Sequence, residues 1–154
     1  MKVDIESSTI AGEIEIDASP EAVFMALTDA DQPVAWWGDD SMYRTINWKL
    51  DLRVGGAWSS EAKNADGALG SVHGRFLEID PPRTLAYTWN PSWDATGETN
   101  VRYTLTPTAS GTRVNILHDG FGSNVDSLTS HLEGWSRVLA WLGRFLGGTS
   151  ISGT

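Results

Sequence analysis

His118 is the residue of this sequence whose type and position best suit proton transfer. It alternates in phase with Val114 and Ile116, so a strand here would turn all three side chains toward one interior. Histidine titrates near neutral pH, and an inward histidine can act as a hydrogen-bonding or proton-transferring group. We predict His118 as a candidate catalytic residue. The alternative is a structural histidine that a nearby backbone group satisfies.

Aromatic side chains are the other candidates for a binding site, because the chain has 8 tryptophans in 154 residues. Trp36 and Trp37 fall where a helical segment meets the sheet, and they either line a cavity mouth or plug the core. Strand alternation and helical phase turn three further tryptophans inward, whereas Trp48 and Trp93 cannot be assigned. The predicted ligand-binding residues are Trp36, Trp37, Trp58, Tyr87, Trp89, Tyr103, His118, Trp135 and Leu139.

Two tyrosines in this set would add polar groups to an apolar site. Tyr87 and Tyr103 occupy inward-facing positions of neighbouring strands. Their hydroxyls suit a carbonyl or hydroxyl group of a guest molecule, since a buried polar group is costly unless it is paired. The alternative is that either one is a core tyrosine whose hydroxyl reaches solvent.

Other kinds of chemistry find no support in the sequence. His73, His118 and His131 form no short-spaced pair, so we expect no metal site. Gly55-Gly56 lacks the lysine and the wider glycine spacing of a phosphate-binding loop, and no Gly-x-Ser-x-Gly nucleophile elbow is present. We expect no cofactor.

Charge and composition narrow the class of partner. The net charge is -9, and the 11 basic residues are scattered, so a phosphate backbone would be repelled. We therefore expect no nucleic-acid partner. The chain has no cysteine, which fits a reducing compartment, and residues 1–12 contain no apolar stretch of the kind that signal peptides carry. We expect a soluble, cytoplasmic protein with no membrane span.

Periodicity divides the chain into an antiparallel sheet and three helices. Residues 10–16 alternate as a first strand does, and Ser19-Pro20-Glu21 combines a cap, a first-turn proline and an acid at the start of a short helix. A second short helix should end at Gly38. From residue 41 to 119, turn residues separate five or six short extended runs, typical of a meander of hairpins. The whole predicts six to seven strands.

The C-terminal segment is the clearest element. Leu128, Leu132, Trp135, Leu139 and Leu142 recur at steps of three and four, which predicts one long amphipathic helix over residues 125–146. We expect a single domain over residues 1–154, with its core at about 10–146 and a flexible tail at 147–154.

The order of these elements resembles the α+β helix-grip fold that START and Bet v 1-like proteins share, in which a curved antiparallel sheet wraps around a long C-terminal helix, with two short helices after the first strand. Local motifs are similar to those of the AHSA-type branch of the SRPBCC superfamily, which is named after the C-terminal domain of a heat-shock-chaperone ATPase activator. These motifs are Ala26-Leu27-Thr28-Asp29, Trp36-Trp37-Gly38, Asp51-Leu52-Arg53-Val54-Gly55-Gly56, Leu77-Glu78-Ile79-Asp80-Pro81-Pro82-Arg83-Thr84-Leu85, Gly111-Thr112-Arg113 and Gly134-Trp135.

The resemblance implies a deep apolar cavity between the sheet and the long helix. Functions in this superfamily include binding of hydrophobic metabolites, polyketide cyclisation or dehydration, and chaperone regulation. We therefore predict binding of a small hydrophobic or aromatic molecule, lipid-like or polyketide-like. One alternative is a cofactor-free cyclase, dehydratase or hydrolase in which His118 or a tyrosine moves a proton. Another is an interaction module for a chaperone or regulator. A homodimer through exposed strand edges is compatible with the pattern, but no residue argues for it.

Overall fold

The computed structural model describes residues 1–147. These residues form strands and three helices that are joined by turns and loops. In chain order the elements are β1 (Lys2–Glu6), β2 (Thr9–Ile16), α1 (Pro20–Thr28), α2 (Pro33–Trp36), β3 (Gly38–Asp39), β4 (Tyr43–Leu50), β5 (Ala57–Asn64), β6 (Leu69–Asp80), β7 (Thr84–Pro91), β8 (Thr99–Pro107), β9 (Thr112–Asp119) and α3 (Val125–Phe145). The α+β class and the long C-terminal helix are as predicted. From residue 148 onward, the predicted flexible tail lies outside the described residues.

The strands form one antiparallel sheet of nine strands in the order β1-β2-β9-β8-β7-β6-β5-β4-β3. The prediction of six to seven strands was wrong. The strand β1 is an edge strand in which every residue except Val3 is exposed, so it lacks the alternation that marks a half-buried strand. The strand β3 has only two residues. Because β1 precedes β2, the two short helices follow the second strand and not the first.

The two short helices close one end of the sheet. The side chain of Ser19 caps α1 by accepting a hydrogen bond from the backbone N–H of Ala22 at 3.1 Å. Val23, Phe24 and Leu27 are buried against the core. The helix α2 is a single turn, and Gly38 follows it with a φ of +125°, a conformation that favours glycine.

The long helix packs closely on one side of the sheet. Its N-cap residue Asn124 accepts a hydrogen bond from the N–H of Ser127 at 3.0 Å. A Cβ atom at Gly12 of β2 would lie 2.9 Å from Ile116 Cγ1 and 3.0 Å from Leu139 Cδ1. Glycine therefore lets α3 approach β2 and β9 closely. Within residues 1–147, no helix is both long and apolar enough to cross a membrane.

A β-bulge in β4 changes which residues of this strand face inward. Ile46 pairs with Glu61 and Lys49 with Ser59, so β4 carries one extra residue between the two pairs. Asn47, in this interval, has a φ of +55°, which asparagine tolerates better than most residues. Strict alternation from Thr45 would turn Asn47 inward and Trp48 outward. The bulge turns Trp48 toward α3 instead.

Candidate functional site

A cavity of about 400 Å³ lies between α3 and the part of the sheet formed by β4, β5 and β6. Ser60 and Val72 line it from the sheet, and Gly134 and Val138 line it from the helix. A Cβ atom at Gly134 would meet no heavy atom within 4 Å. The cavity therefore exists partly because this position of α3 has no side chain.

The cavity lies to one side of the apolar stripe of α3, and Trp135 of that stripe also lines it. Leu128, Leu139 and Leu142 of that stripe are buried against the sheet. The residues of α3 that line the cavity are centred roughly a third of a turn from that stripe around the helix axis, with Ser130 and Arg137 farthest from it and Trp135 beside it. One face of α3 thus holds the helix on the sheet, and the neighbouring, more polar face forms a wall of the cavity.

Three of the predicted ligand-binding residues lie together in the cavity wall: Trp37, Trp89 and Trp135. Trp37 and Trp89 are stacked, with ring centroids 6.1 Å apart and an interplanar angle of 13°. Trp37 and Trp135 are tilted against each other at 6.2 Å. These rings form an apolar surface against which an aromatic or aliphatic molecule can pack.

Trp36 and Trp58 lie away from this cavity, beside a much smaller space of about 20 Å³. The indole N–H of Trp36 donates to the carbonyl oxygen of Ala26 at 3.0 Å, and that of Trp58 donates to the carbonyl oxygen of Thr88 at 3.0 Å. Both rings are buried and both donors are satisfied by backbone. The structure gives these two residues a position in the core.

Tyr87 and Tyr103 also adjoin the small space and satisfy each other. Their hydroxyl oxygens are 2.7 Å apart, and both side chains are buried. Burial is the main cause that raises the pKa of both phenols above the ordinary value. The pair is therefore neutral and internally hydrogen bonded, and its hydroxyls lie away from the larger cavity.

Replacing Tyr103 with phenylalanine is expected to destabilise the protein by about 1–3 kcal/mol, because the hydroxyl of Tyr87 then loses its partner while it stays buried. The double variant Tyr87→Phe/Tyr103→Phe should lose less than the sum of the two single variants, since it leaves neither hydroxyl unpaired. Urea unfolding of the three variants measures this coupling. Additive losses would contradict the mutual pairing.

His118 is fully buried, with 0% of its surface exposed, behind the cavity wall. The indole N–H of Trp135 donates to its Nδ1 at 2.9 Å, so its Nε2 carries the proton and donates to Thr99 Oγ1 at 2.7 Å. Burial is the main cause that lowers the pKa of His118 to about 3. His118 thus orients Trp135, and both its ring nitrogens are engaged within the protein. Leu139 is equally buried and lies against Gly12 instead of the cavity.

His131, which the sequence did not single out for binding, lines the cavity. Its Nε2 accepts a hydrogen bond from the indole N–H of Trp89 at 3.1 Å, and its Nδ1 donates to the carbonyl oxygen of Ser127 at 2.9 Å. The Ser127 hydroxyl in turn donates to Asp94. Burial acts to raise the pKa of Asp94, but hydrogen bonds from Ser127 and Thr96 outweigh it and hold that pKa below the ordinary value.

Because of these contacts, His118 and His131 have the same structural role. Each accepts an indole N–H on one ring nitrogen and donates from the other, which sets its tautomer and the orientation of one tryptophan. A histidine in this arrangement has no free lone pair with which to take a proton from a guest. The two histidines therefore hold the tryptophan surface of the site in place.

Sequence reasoning missed or left unassigned most of the cavity wall, including its aromatic and ionisable side chains Trp48, Trp93, His131 and Arg137. Trp48 is turned inward by the bulge at Asn47, for which the only sequence signal is an asparagine within an extended run. Trp93 lies in the loop after β7, where no periodicity applies. His131 and Arg137 sit beside the apolar stripe of α3. A glycine in the middle of that helix was an available signal, because such a glycine usually has a packing reason.

Within residues 1–147, no three side chains of the metal-binding types come together as ligands of one ion would. The cavity is thus described by its aromatic surface, by its hydroxyl groups and by one cation.

A long helix held against a curved antiparallel sheet, with a cavity between them, defines a protein of the helix-grip class. The sequence model of the family described as "Activator of Hsp90 ATPase homolog 1-like protein" matches residues 17–147, and the chain belongs to this family. The resemblance noted from the motifs is confirmed, including the SRPBCC and Bet v 1-like superfamily to which these proteins belong. No curated protein matches the chain.

Solved structures of similar proteins cover nearly the whole chain. A protein from Chromobacterium violaceum is 26% identical, with a TM-score of 0.80 over 92% of this chain and 98% of that chain. An AHSA1-like protein from Aeromonas hydrophila is 25% identical, with a TM-score of 0.77 over 94% of each chain. An AHSA1 protein from Silicibacter pomeroyi is 26% identical, with a TM-score of 0.74 over 88% of this chain and 95% of that chain.

Proposed function

We propose that this protein binds a small hydrophobic or aromatic molecule, such as a lipid-like or polyketide-like metabolite, in the cavity between α3 and the sheet. The observation that carries the proposal is the cavity itself, whose volume of about 400 Å³ lies in the range typical of small-molecule sites. The stacked pair of Trp37 and Trp89 supplies an apolar wall for the guest. Burial of apolar area against it would contribute about 25 cal/mol per Å² before the costs of binding.

Binding is favoured over proton transfer by the state of the histidines. His118 has no exposed surface, and His131 donates and accepts within the protein. An acid or base that acts on a guest must come within hydrogen-bond reach of it in the right protonation state. The hydrogen bonds of both histidines instead support a rigid receptor surface around Trp89 and Trp135.

Gly134 allows a direct test of the proposal. The variant Gly134→Phe should fill part of the cavity without disturbing the fold, because a Cβ at this position meets no atom within 4 Å. The matched control Gly134→Ala adds one methyl group and keeps most of the space. It should be more stable than the parent protein by about 0.5–1 kcal/mol, since glycine disfavours a helix interior.

The measurements are tryptophan emission and melting temperature against a panel of fatty acids, flavonoids and aromatic polyketides. We expect one or more compounds to shift both in the parent protein and in Gly134→Ala. The same compounds should bind Gly134→Phe at least about 10-fold more weakly, which corresponds to a loss of about 1.4 kcal/mol. Binding that Gly134→Phe leaves intact would contradict the assignment of the cavity. A panel without any effect on the parent protein would overturn the proposed function.

A further inference from the structure

The walls of the cavity carry one formal charge, and it is positive. Of the side chains from residues 1–147 that line the cavity, Arg137 is a cation and none is an aspartate or glutamate. The chain as a whole has 20 acidic residues against 11 lysines and arginines. With this composition, a cavity wall that holds a single charged residue would be expected to hold an Asp or a Glu, not an Arg. The cavity therefore has an electrostatic character opposite to that of the protein.

Arg137 also has no partner for part of its guanidinium group. Its Nε is buried, and no hydrogen-bond acceptor for it exists among the described residues. None of the ion pairs found within residues 1–147 includes Arg137. An unpaired donor of a charged group is costly away from water, so natural structures rarely retain one without a ligand or another use for it.

A second unpaired donor belongs to a residue of the opposite cavity wall. Trp48 on β4 lines the cavity, and its buried indole Nε1 has no acceptor within the described part of the chain. The ring is held in place by stacking on Trp58, with centroids 6.1 Å apart, and by Trp37 at 5.4 Å. Both unpaired groups are hydrogen-bond donors, so the molecule that satisfies them must supply acceptors.

We propose that the guest of this cavity carries a carboxylate, which Arg137 binds through its guanidinium group and which Trp48 supports from the sheet side, while its apolar body packs on the tryptophan wall. This inference rests on the proposed function and names the chemical class of the ligand. A single guanidinium matches the single charge and the planar fork of a carboxylate. A phosphate monoester would bring a charge of about -1.5 to -2, for which the described residues of the cavity wall offer no second lysine or arginine.

The test uses pairs of compounds that differ only in the acid group: 2-naphthylacetate with 2-naphthylacetamide, and decanoate with decanamide. Binding is measured by tryptophan fluorescence and by calorimetry at pH 7.5. The variants are Arg137→Met, which removes the charge at similar length, and Arg137→Lys, which keeps it. The control is Arg144→Met on the same helix, because Arg144 is exposed and is not part of the cavity wall.

We expect the parent protein and Arg144→Met to bind at least one of the acids about 10- to 100-fold more tightly than its amide. Arg137→Met should lose this preference by weakening the acid alone, and Arg137→Lys should retain part of it. Equal binding of acid and amide by the parent protein, or equal weakening of both by Arg137→Met, would overturn the carboxylate guest and leave the proposed function intact. If neither member of either pair binds, and the wider panel is also without effect, both proposals fail together.

Discussion

Replacement of His118 with glutamine is expected to make the stability of the protein fall less steeply between pH 6.5 and pH 4.5. Burial, and to a smaller extent the neighbouring His131, lower the pKa of His118 from 6.5 to about 3 in the folded protein, although Asp94 acts to raise it. The unfolded chain therefore binds a proton at a higher pH than the folded protein does. Stability from this source is fully present above pH 6.5 and is lost as the pH falls toward 3.

The size of the effect follows from the distance between the two pKa values. Each pH unit below 6.5 costs about 1.4 kcal/mol, so the loss reaches about 3 kcal/mol at pH 4.5 and about 5 kcal/mol near pH 3. His118→Gln should start lower at pH 7.5 by about 1–3 kcal/mol, because the longer, flexible glutamine chain does not hold an acceptor to Trp135 and a donor to Thr99 in place as the rigid imidazole ring does. Its stability should then fall less steeply with acid.

Urea unfolding at several pH values between 4.5 and 7.5 measures both slopes. The matched control is His73→Gln, since His73 is exposed on β6 and its replacement is a surface change. Acidic residues titrate in all three proteins and so cancel in the comparison. An unchanged slope in His118→Gln would show that His118 takes up its proton in the folded state, contrary to its buried, fully hydrogen-bonded position.

Leu139→Ala is expected to destabilise the protein by about 2–5 kcal/mol, which is the range for buried leucines that leave a void. Leu139 has 0% of its surface exposed and packs at the point where α3 lies close to Gly12 of β2. Its removal opens space in the part of the interface that holds the helix, not in the cavity. Because the removed side chain belongs to the face of α3 that packs on the sheet, guest binding at the cavity should persist in the population that remains folded.

Leu69→Ala is the matched control, because it makes the same chemical change at the mouth of the cavity. Leu69 is 63% exposed and lines the cavity. Its truncation should change the free energy of unfolding by no more than about 0.5 kcal/mol. Urea unfolding of both variants, followed by the fluorescence titration, compares the two faces. Similar losses in both variants would contradict the anchoring role of Leu139 in α3.

The mouth of the cavity is relevant to the alternative function, an interaction module for a chaperone or regulator. Met42, Leu69 and Trp93 are exposed around it, and Trp93 lies over Gly70, where a Cβ atom would come within 2.8 Å of the indole. This apolar rim is continuous with the cavity. It therefore fits the entry of an apolar guest, which the proposed binding function requires.

Much of the fold could be predicted from the sequence alone. Period-two alternation in Val101, Tyr103 and Leu105, and in Val114, Ile116 and His118, correctly turned these side chains inward, because a strand has only two faces. The long helix at Val125–Phe145 followed from the spacing of its leucines. Both signals are local, and burial of one face is enough to produce them.

Only the tertiary structure decided which inward side chains meet an open space. Tyr87, Tyr103 and His118 point inward as alternation requires, yet each finds its partner in the protein, because neighbouring elements bring a hydroxyl or an indole to it. Trp48 reaches the cavity through one inserted residue in β4, which reverses the faces of the strand beyond it.

The position of the cavity is decided by packing between distant parts of the chain. Gly12 lets α3 settle against β2, while the missing side chain at Gly134 leaves the other side of the helix apart from β4–β6. A pattern of apolar residues indicates which surfaces are buried, but it does not indicate the distance between two such surfaces in the folded protein. That distance depends on the summed volumes of side chains from every element at the interface, and it exists only in the folded protein.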